Sequence, residues 1–446
     1  VYTFTLREGL TFNDGTPLTT QDVIFTIERA VDSRAGAYWR GRLIGIAGAE
    51  AYGSQQAETI TGLEAVDDRT LRITLAAPDS AFLPNIGNFS GLGILPAHIL
   101  RDVAPDQLRT HSFALNPTVT AGAFQFVRYE TDQFLELARN PTYGGSPAIL
   151  ERLFLRILQP DVALAELEGG GLDLMSVAFD DMERLEAIPS LTVVSVPSPS
   201  MDSISVNLDR PYFQDKRIRQ AMMYALDRET IVAQLYKGQA VLTNSPIFGP
   251  DWMGAPDVNP YPYDPARAQQ LLAEAGWDAN QTVEMIYVPG GNRTFDTMVP
   301  VVQAQFVAVG INVVLTQLDA PELNRRLIQE ADYDLYIGGG GVYRADPSIS
   351  GTYYLSQNLA PAGGNSTRYI NPQIDELYAQ GRAVSDQEER KRIYTEIATI
   401  LNDELPSIFL WSPNSNFAFN NRLQGFKPPS YVQNQLWNAE TWSVSE

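Results

Sequence analysis

Two glycine-rich segments hold the residue types best suited to binding a small molecule. They are VPGGNRT, residues 288–294, and GGGGVYRADP, residues 338–347. Arg293 could hold an anionic group with paired hydrogen bonds, Tyr343 could stack or donate a hydrogen bond, and glycines allow close approach. The alternative is that both segments are tight turns with solvated arginines. The candidate ligand-binding residues here are Asn292, Arg293, Gly340, Gly341, Tyr343 and Asp346.

Two tryptophans are further candidates for ligand contact. Trp252 lies in FGPDWMGAP and Trp411 lies in FLWSPNS, and both segments are rich in residues that break regular structure. We interpret them as segments that cross between two halves of the molecule. Such segments line the cleft between the halves, so both indoles would lie in that cleft. The alternative is that both tryptophans are ordinary core residues.

The sequence offers little for catalysis. Its two histidines, His98 and His111, belong to no metal-spaced cluster, and neither an HExxH nor a GxSxG motif occurs. The four consecutive glycines are not followed by Gly-Lys-Ser/Thr, which argues against a nucleotide-binding P-loop. We therefore expect no cofactor, no metal site and no catalytic residues. A hydrolase with two carboxylates stays open, and it would need an acidic pair about 5 to 10 Å apart.

Charge and cysteine content exclude several further classes. The chain has 53 acidic and 32 basic side chains, a net charge of −21, which argues against binding to nucleic acid or to anionic lipid. It contains no cysteine, so disulfides, zinc–thiolate sites and thiol nucleophiles are absent. No run of 18 apolar residues occurs that could span a bilayer.

An alternation of strands and helices must position the two glycine-rich segments. TVEMIYVP, INVVLTQL and YDLYIGG read as strands, separated by helices predicted near 297–309 and at PELNRRLIQE. This order predicts crossover units and a mainly parallel sheet. Ligands bind beyond the carboxyl ends of such strands. Since each glycine-rich segment follows one of these strands, we expect both to open on the same edge.

Short sequence patterns predict secondary-structure elements elsewhere in the chain. Val1 to Leu6 alternates like a strand, and NDGT is a hairpin turn signal. Thr19 and Asp22 are spaced like a capping box at the start of a helix. The pattern DKRIRQAMMYAL, from Asp215, predicts a second amphipathic helix.

Six stretches together resemble one family. They are, in family order, YTFTLREGLTFNDGTPLTTQDVIFTIERA, NPTVTAGAFQFV, LARNPTYGG, ISVNLDRPYFQDKRIRQAMMYALDRETI, YDPARAQQLLAEAG and NPQIDELYAQGR. The sequence resembles the bacterial extracellular solute-binding proteins of family 5, the peptide-, nickel- and oligosaccharide-binding components of ABC importers. The resemblance implies an α/β, two-lobed periplasmic-binding-protein-like fold of the class II type, with an extra subdomain in lobe I, that closes on its ligand.

The resemblance also implies a division of the chain. Residues 1–145 would be the extra subdomain of lobe I, 146–248 lobe I proper, 249–415 lobe II and 416–446 the return to lobe I. The hinge would lie at the crossings near Gly249 and Pro413. In the family, the stretch that Val1 opens comes some tens of residues into the mature protein, so the resemblance implies that a leader and the first lobe I strands precede it.

The function implied by the resemblance is transport rather than catalysis. We expect a monomeric, non-enzymatic substrate-binding protein, periplasmic or extracellular, at the outer face of the cytoplasmic membrane. Its partners would be a small-molecule or peptide ligand and the permease and ATPase subunits of an ABC importer, not nucleic acid. The predicted cargo is an oligopeptide or peptide-like solute, with an oligosaccharide as the alternative.

One departure from the family pattern concerns the cargo. Peptide-binding members often hold the ligand amine with an acidic residue a few positions before the Asp-Pro pair. Here those positions carry Val342 and Tyr343, and Asp346 is the only acid in the segment. Arg293 matches the basic residue that holds a ligand carboxylate in some members, whereas Trp252, Tyr343 and Trp411 would suit a stacked sugar.

Overall fold

A computed structural model describes the chain in two compact units. Residues 38, 88–91, 199, 249–251, 255, 290–292, 341–345, 430–434 and 446 lie outside the described residues. Unit 1 comprises Val1–Met175, Ile188–Thr192 and Phe419–Glu446, and unit 2 comprises Ser176–Ala187 and Val193–Ala418. The chain therefore passes between the units at four points.

The described elements are as follows. The strands are β1 (Tyr2–Thr5), β2 (Leu63–Ala65), β3 (Thr70–Ile73), β4 (Phe124–Glu130), β5 (Phe134–Arg139), β6 (Arg152–Arg156), β7 (Leu174–Ser176), β8 (Leu191–Pro197), β9 (Met201–Val206), β10 (Ala240–Leu242), β11 (Thr282–Tyr287), β12 (Asn312–Gln317), β13 (Leu335–Gly340), β14 (Ser407–Asn420), β15 (Leu423–Gln424) and β16 (Ser443–Val444). The α-helices are α1 (Thr20–Val31), α2 (Arg40–Leu43), α3 (Ala49–Gly53), α4 (Phe82–Gly87), α5 (Ala97–Leu100), α6 (Pro160–Glu168), α7 (Phe179–Glu186), α8 (Lys216–Tyr224), α9 (Arg228–Leu235), α10 (Pro265–Glu274), α11 (Arg293–Ala308), α12 (Ala320–Leu323), α13 (Gly351–Tyr354), α14 (Pro372–Ala383) and α15 (Gln387–Glu404).

Unit 1 contains small antiparallel sheets. Their strand orders are β1-β3-β2, β4-β5-β6 and β15-β16. The predicted capping box is confirmed at the start of α1, where the Thr19 backbone N–H donates to Asp22 Oδ2 at 2.9 Å. Helix α1 then buries Ile27 and Val31 in the same cluster as Leu71 and Ile73 of β3.

Unit 2 is built around one large mixed sheet. Its main strand order is β10-β14-β9-β13-β11-β12, and β7 and β8 also pair with β14. Strand β11 runs parallel to both β12 and β13, which confirms the predicted crossover units. The prediction of a mainly parallel sheet is wrong, because β9 pairs antiparallel with β13 and β14, and β10 pairs antiparallel with β14. The helix predicted at residues 297–309 begins four residues earlier, at Arg293. The predicted helix PELNRRLIQE is a short α12 followed by π-helical turns over Asn324–Glu330.

The observed units do not divide where the lobes were predicted to divide. The predicted boundary at 248/249 falls inside unit 2. The physical reason is that β9, which precedes it, is hydrogen-bonded between β13 and β14, which follow it. Ile204 of β9 shares a core with Ile337 and Ile408. Strand pairing thus joins segments that the sequence pattern separates, and the assignment of lobes that close on a ligand stays a prediction.

Candidate ligand-binding site

The carboxyl ends of the parallel strands form one edge of the unit 2 sheet. Tyr287 of β11 is in register with Gln317 of β12, and Met285 of β11 is in register with Leu335 of β13. Parallel strands end on the same side, so the segments that leave β11 and β13 begin at a common edge. The predicted placement of the two glycine-rich segments is confirmed for their described ends. Of the predicted site residues, Asn292, Gly341 and Tyr343 lie outside the described residues.

Arg293 lies next to this edge as the first residue of α11, and it is exposed. The amino end of a helix carries a partial positive charge, so an arginine there adds to a field that favours anions. Gly340 ends β13 and is also exposed, and no atom of the described residues other than its chain neighbours lies within 4 Å of the position that a Cβ would take there. Both residues therefore lie where a ligand could reach them.

Asp346 has a different environment from the one expected of a free ligand-binding acid. Arg390 Nη2 of α15 donates to its two carboxylate oxygens at 2.8 and 2.9 Å, and the two side chains are 2% and 6% exposed. The Ser348 backbone N–H donates to the same carboxylate at 3.0 Å. The guanidinium also lies over the ring of Trp252, 5.2 Å from its centroid. The structure thus brings two predicted site residues together, around an arginine that already compensates the acid.

Trp411 is a core residue. It is 0% exposed, and its ring centroid lies 5.3 Å from that of Tyr236. Its Nε1–H donates to Asp202 Oδ2 at 3.0 Å. In this structure no face of the indole is open to a sugar ring, in contrast to the predicted stacking role.

Asp202 lies at the same edge of the sheet and is not among the predicted site residues. Strand β9 runs between β13 and β14, and Asp202 is in register with Gly339 on one side and Trp411 on the other. The Tyr236 hydroxyl donates to Oδ2 at 3.3 Å. Burial raises the pKa of the Asp202 carboxyl to about 6, against the opposing effect of the hydrogen bonds from Trp411 and Tyr236. A carboxylate held by neutral donors is a strong candidate for recognition of a ligand.

One sequence signal could have pointed to Asp202. In MDSISV the aspartate alternates with Ile204 and Val206, which are both 0% exposed. Side chains two apart on a strand point to the same face, so this aspartate faces a core. A charged residue on the buried face of a strand is rare unless it has a partner or a function.

The described part of the chain holds no group of three or more His, Cys, Asp and Glu side chains arranged to bind a metal ion. Among the same residues, none of the helices combines the length and the apolar character needed to cross a bilayer.

Comparisons with known proteins agree across the whole chain. A family model described as bacterial extracellular solute-binding proteins, family 5 middle, matches residues 1–360. A Brucella melitensis protein whose name describes it as a peptide-binding protein of an ABC transporter is 27% identical over 453 residues, which cover 100% of this chain and 82% of the relative.

Solved structures are similar over nearly the same extent. The oligopeptide-binding protein AppA from Bacillus subtilis, in complex with a nonapeptide, has a TM-score of 0.86 at 24% identity, covering 100% of this chain and 87% of AppA. NikZ from Campylobacter jejuni, in complex with Ni(L-His), has a TM-score of 0.85 at 24% identity, with coverage of 99% and 87%. These likenesses confirm the predicted fold class, an α/β two-lobed fold of the periplasmic-binding-protein type.

Proposed function

Because the chain belongs to the bacterial extracellular solute-binding proteins of family 5, we propose that it binds an oligopeptide or peptide-like solute between two lobes and delivers it to a membrane permease. The family match over residues 1–360 carries the substrate-binding role in an ABC importer. The family and its relatives are solute-binding proteins, which agrees with a role in transport rather than catalysis.

Two observations favour a peptide over a sugar as the cargo. Arg293 is exposed at the amino end of α11, where it can pair with a ligand carboxylate. Trp411, one of the three aromatic residues that would suit a stacked sugar, is fully buried and donates its N–H to Asp202. The AppA structure supports the proposal by analogy, since AppA is there in complex with a nonapeptide.

The proposed mechanism is binding coupled to closure. A ligand that contacts both lobes stabilises the closed state by its higher affinity for that state. The permease then recognises the closed form. No bond of the cargo is made or broken in this cycle, so the protein returns its ligand unaltered.

The test begins with the cargo itself. We expect native mass spectrometry of the purified protein to show a copurifying peptide, and calorimetry with the synthetic peptide to show stoichiometric binding. A copurifying saccharide would contradict the peptide assignment. Turnover of the cargo during prolonged incubation would contradict the transport role.

A matched pair of arginines tests the carboxylate contact. We expect Arg293→Ala to weaken binding of a peptide with a free carboxylate by about thirtyfold, the lower end of the cost of losing one partner of a buried charge pair. Arg267→Ala is the control, because Arg267 lies in the first turn of α10 and its side chain is 40% exposed. Equal affinities for the two variants would show that Arg293 does not contact the cargo.

A further inference from the structure

Asp202 differs in its partners from several other deeply buried acids of the molecule. Asp346, Glu136 and Asp32 are 2% exposed, and each is paired with at least one arginine. Asp22, 6% exposed, also has neutral donors, but both of its carboxylate oxygens accept backbone N–H groups, Oδ1 from Ala97 and Oδ2 from Thr19. Asp202 is 8% exposed, and the partners that the structure describes for it are the neutral donors Trp411 and Tyr236. An ionised carboxylate buried without a cation is costly, so its retention calls for a reason outside the fold itself.

The two oxygens of this carboxylate are not equivalent. Oδ2 accepts both hydrogen bonds, from Trp411 Nε1 at 3.0 Å and from the Tyr236 hydroxyl at 3.3 Å. For Oδ1 the described residues provide no hydrogen-bond donor. A carboxylate oxygen has two lone pairs, so Oδ1 keeps its full capacity to accept a donor.

Gly339 opens a path to this oxygen. It is in register with Asp202 across β13 and β9, and it is exposed. A Cβ at position 339 would lie 2.4 Å from Asp202 Oδ1, closer than any side chain can approach. Because this position has no side chain, Asp202 Oδ1 lies beside the exposed backbone of Gly339.

We propose that Asp202 is a recognition residue for a cationic group of the cargo, an ammonium or a guanidinium, which enters beside Gly339 and binds Oδ1. The proposal rests on the function proposed above and adds to it the charge of the cargo. A neutral donor could also reach Oδ1, but only a cation would neutralise the charge of Asp202, as Arg390 neutralises that of Asp346. Trp411 and Tyr236 act as positioning residues, because they hold Oδ2 and thereby direct Oδ1 toward the opening.

The Asp202→Asn variant separates charge from shape. An asparagine oxygen can still accept from Trp411 and Tyr236, while the negative charge is lost. The control is Asp181→Asn in α7, since Asp181 is also 8% exposed but lies 3.3 Å from Arg184. Gly339→Ala is a second variant, which fills the space beside Oδ1 and keeps the charge. Melting temperatures establish that each variant is folded.

The measurement is a competition read by native mass spectrometry near neutral pH. The probe is a library of short synthetic peptides in which each cationic member is matched in equal amount by an uncharged form: acetylated amine, acetyl-lysine for lysine, or citrulline for arginine. We expect the wild type and Asp181→Asn to prefer cationic forms by about thirtyfold, the effect of losing one partner of a buried charge pair. Asp202→Asn and Gly339→Ala should lose this preference and still bind uncharged forms.

Three results would overturn the proposal. The wild type could bind both forms equally, Asp202→Asn could keep the wild-type preference, or the preference could disappear equally in Asp181→Asn. A wild type that binds no peptide in either form would instead reject the proposed peptide cargo, before any variant is compared, and the inference would fall with it.

Discussion

Two buried carboxylates in unit 2 show how differently one fold treats the same group. Asp346 follows the segment that leaves β13, and Arg390 of α15 holds both of its oxygens. Asp202 lies on β9, the neighbour of β13, and takes its hydrogen bonds from an indole and a phenol. The first carboxylate has its charge neutralised within the fold, whereas the second is left with a raised pKa of about 6.

The two environments suit different roles: the paired Asp346 contributes to stability, and Asp202 suits the proposed recognition of a ligand. Asp346, Arg390 and the Trp252 ring above the guanidinium form a closed set in which each charge has a partner. Such a set is costly to break and offers little to a ligand. Asp202 has no cationic partner among the described residues, and one of its oxygens lies beside the exposed Gly339, where we propose that a cationic group binds. The acid that the sequence pattern favours as a ligand-binding residue is thus the one that is already paired with an arginine.

The largest expected effect is at the paired carboxylate. Arg390→Met leaves Asp346 buried without its cation, and we expect the free energy of unfolding to fall by about 3–5 kcal/mol. Urea denaturation followed by circular dichroism measures this change. The control is Arg392→Met on the same helix, because the Arg392 side chain is 62% exposed and pairs with Glu389 at the surface. That variant should change stability by less than about 1 kcal/mol. Similar losses in both variants would show that the buried pair is not special.

At Asp202, by contrast, we expect removal of the charge to raise the free energy of unfolding. Its pKa of about 6 in the folded protein exceeds the ordinary value of 3.8, so ionisation opposes folding. The contribution of this carboxyl to the free energy of unfolding is fully present at acidic pH, below the unfolded pKa. It is lost as the pH rises through about 6. We expect Asp202→Asn to be more stable than the ligand-free wild type at neutral pH, by up to about 3 kcal/mol, and equally stable near pH 4.

Two titratable groups among the described residues interact with Asp202, and both are tyrosines. Tyr236 of α9 donates a hydrogen bond to it, and Tyr336 of β13 feels its charge. Burial raises the pKa of each hydroxyl, so both stay neutral over this range. Melting temperatures of the wild type and Asp202→Asn across pH provide the measurement. A difference between the two proteins that does not change with pH would contradict the titration of Asp202.

The smallest expected effect concerns the space beside Asp202. Gly339→Ala brings a Cβ to 2.4 Å from Oδ1, and the carboxylate can move away only by weakening its hydrogen bonds to Trp411 and Tyr236. We expect a loss of about 1–3 kcal/mol in the free energy of unfolding. Gly340→Ala, one residue along the strand, is the control, since its Cβ would meet no atom within 4 Å among the non-neighbouring residues that the structure describes. Equal stabilities for the two alanine variants would mean that Asp202 moves freely.

The sequence predicted the elements better than the roles of individual side chains. The capping box at Thr19 and the parallel strands β11 to β13 are confirmed, because both rest on short-range patterns of residues. The early start of α11 at Arg293 was missed, since VPGGNRT reads as a loop to its end. For Asp346, no local pattern reveals an arginine 44 residues away that binds both of its oxygens.

By itself the sequence determined the order of strands and helices, the edge at which the glycine-rich segments begin, and the family. These follow from periodicity, turn chemistry and motifs that lie within a few tens of residues. Only the tertiary structure decided which acid is compensated and which is not. The neighbours of Asp202 come from positions 236, 339 and 411, and strand pairing alone brings the last two beside it. Burial and charge pairing are properties of that assembled neighbourhood, which no local stretch of the chain contains.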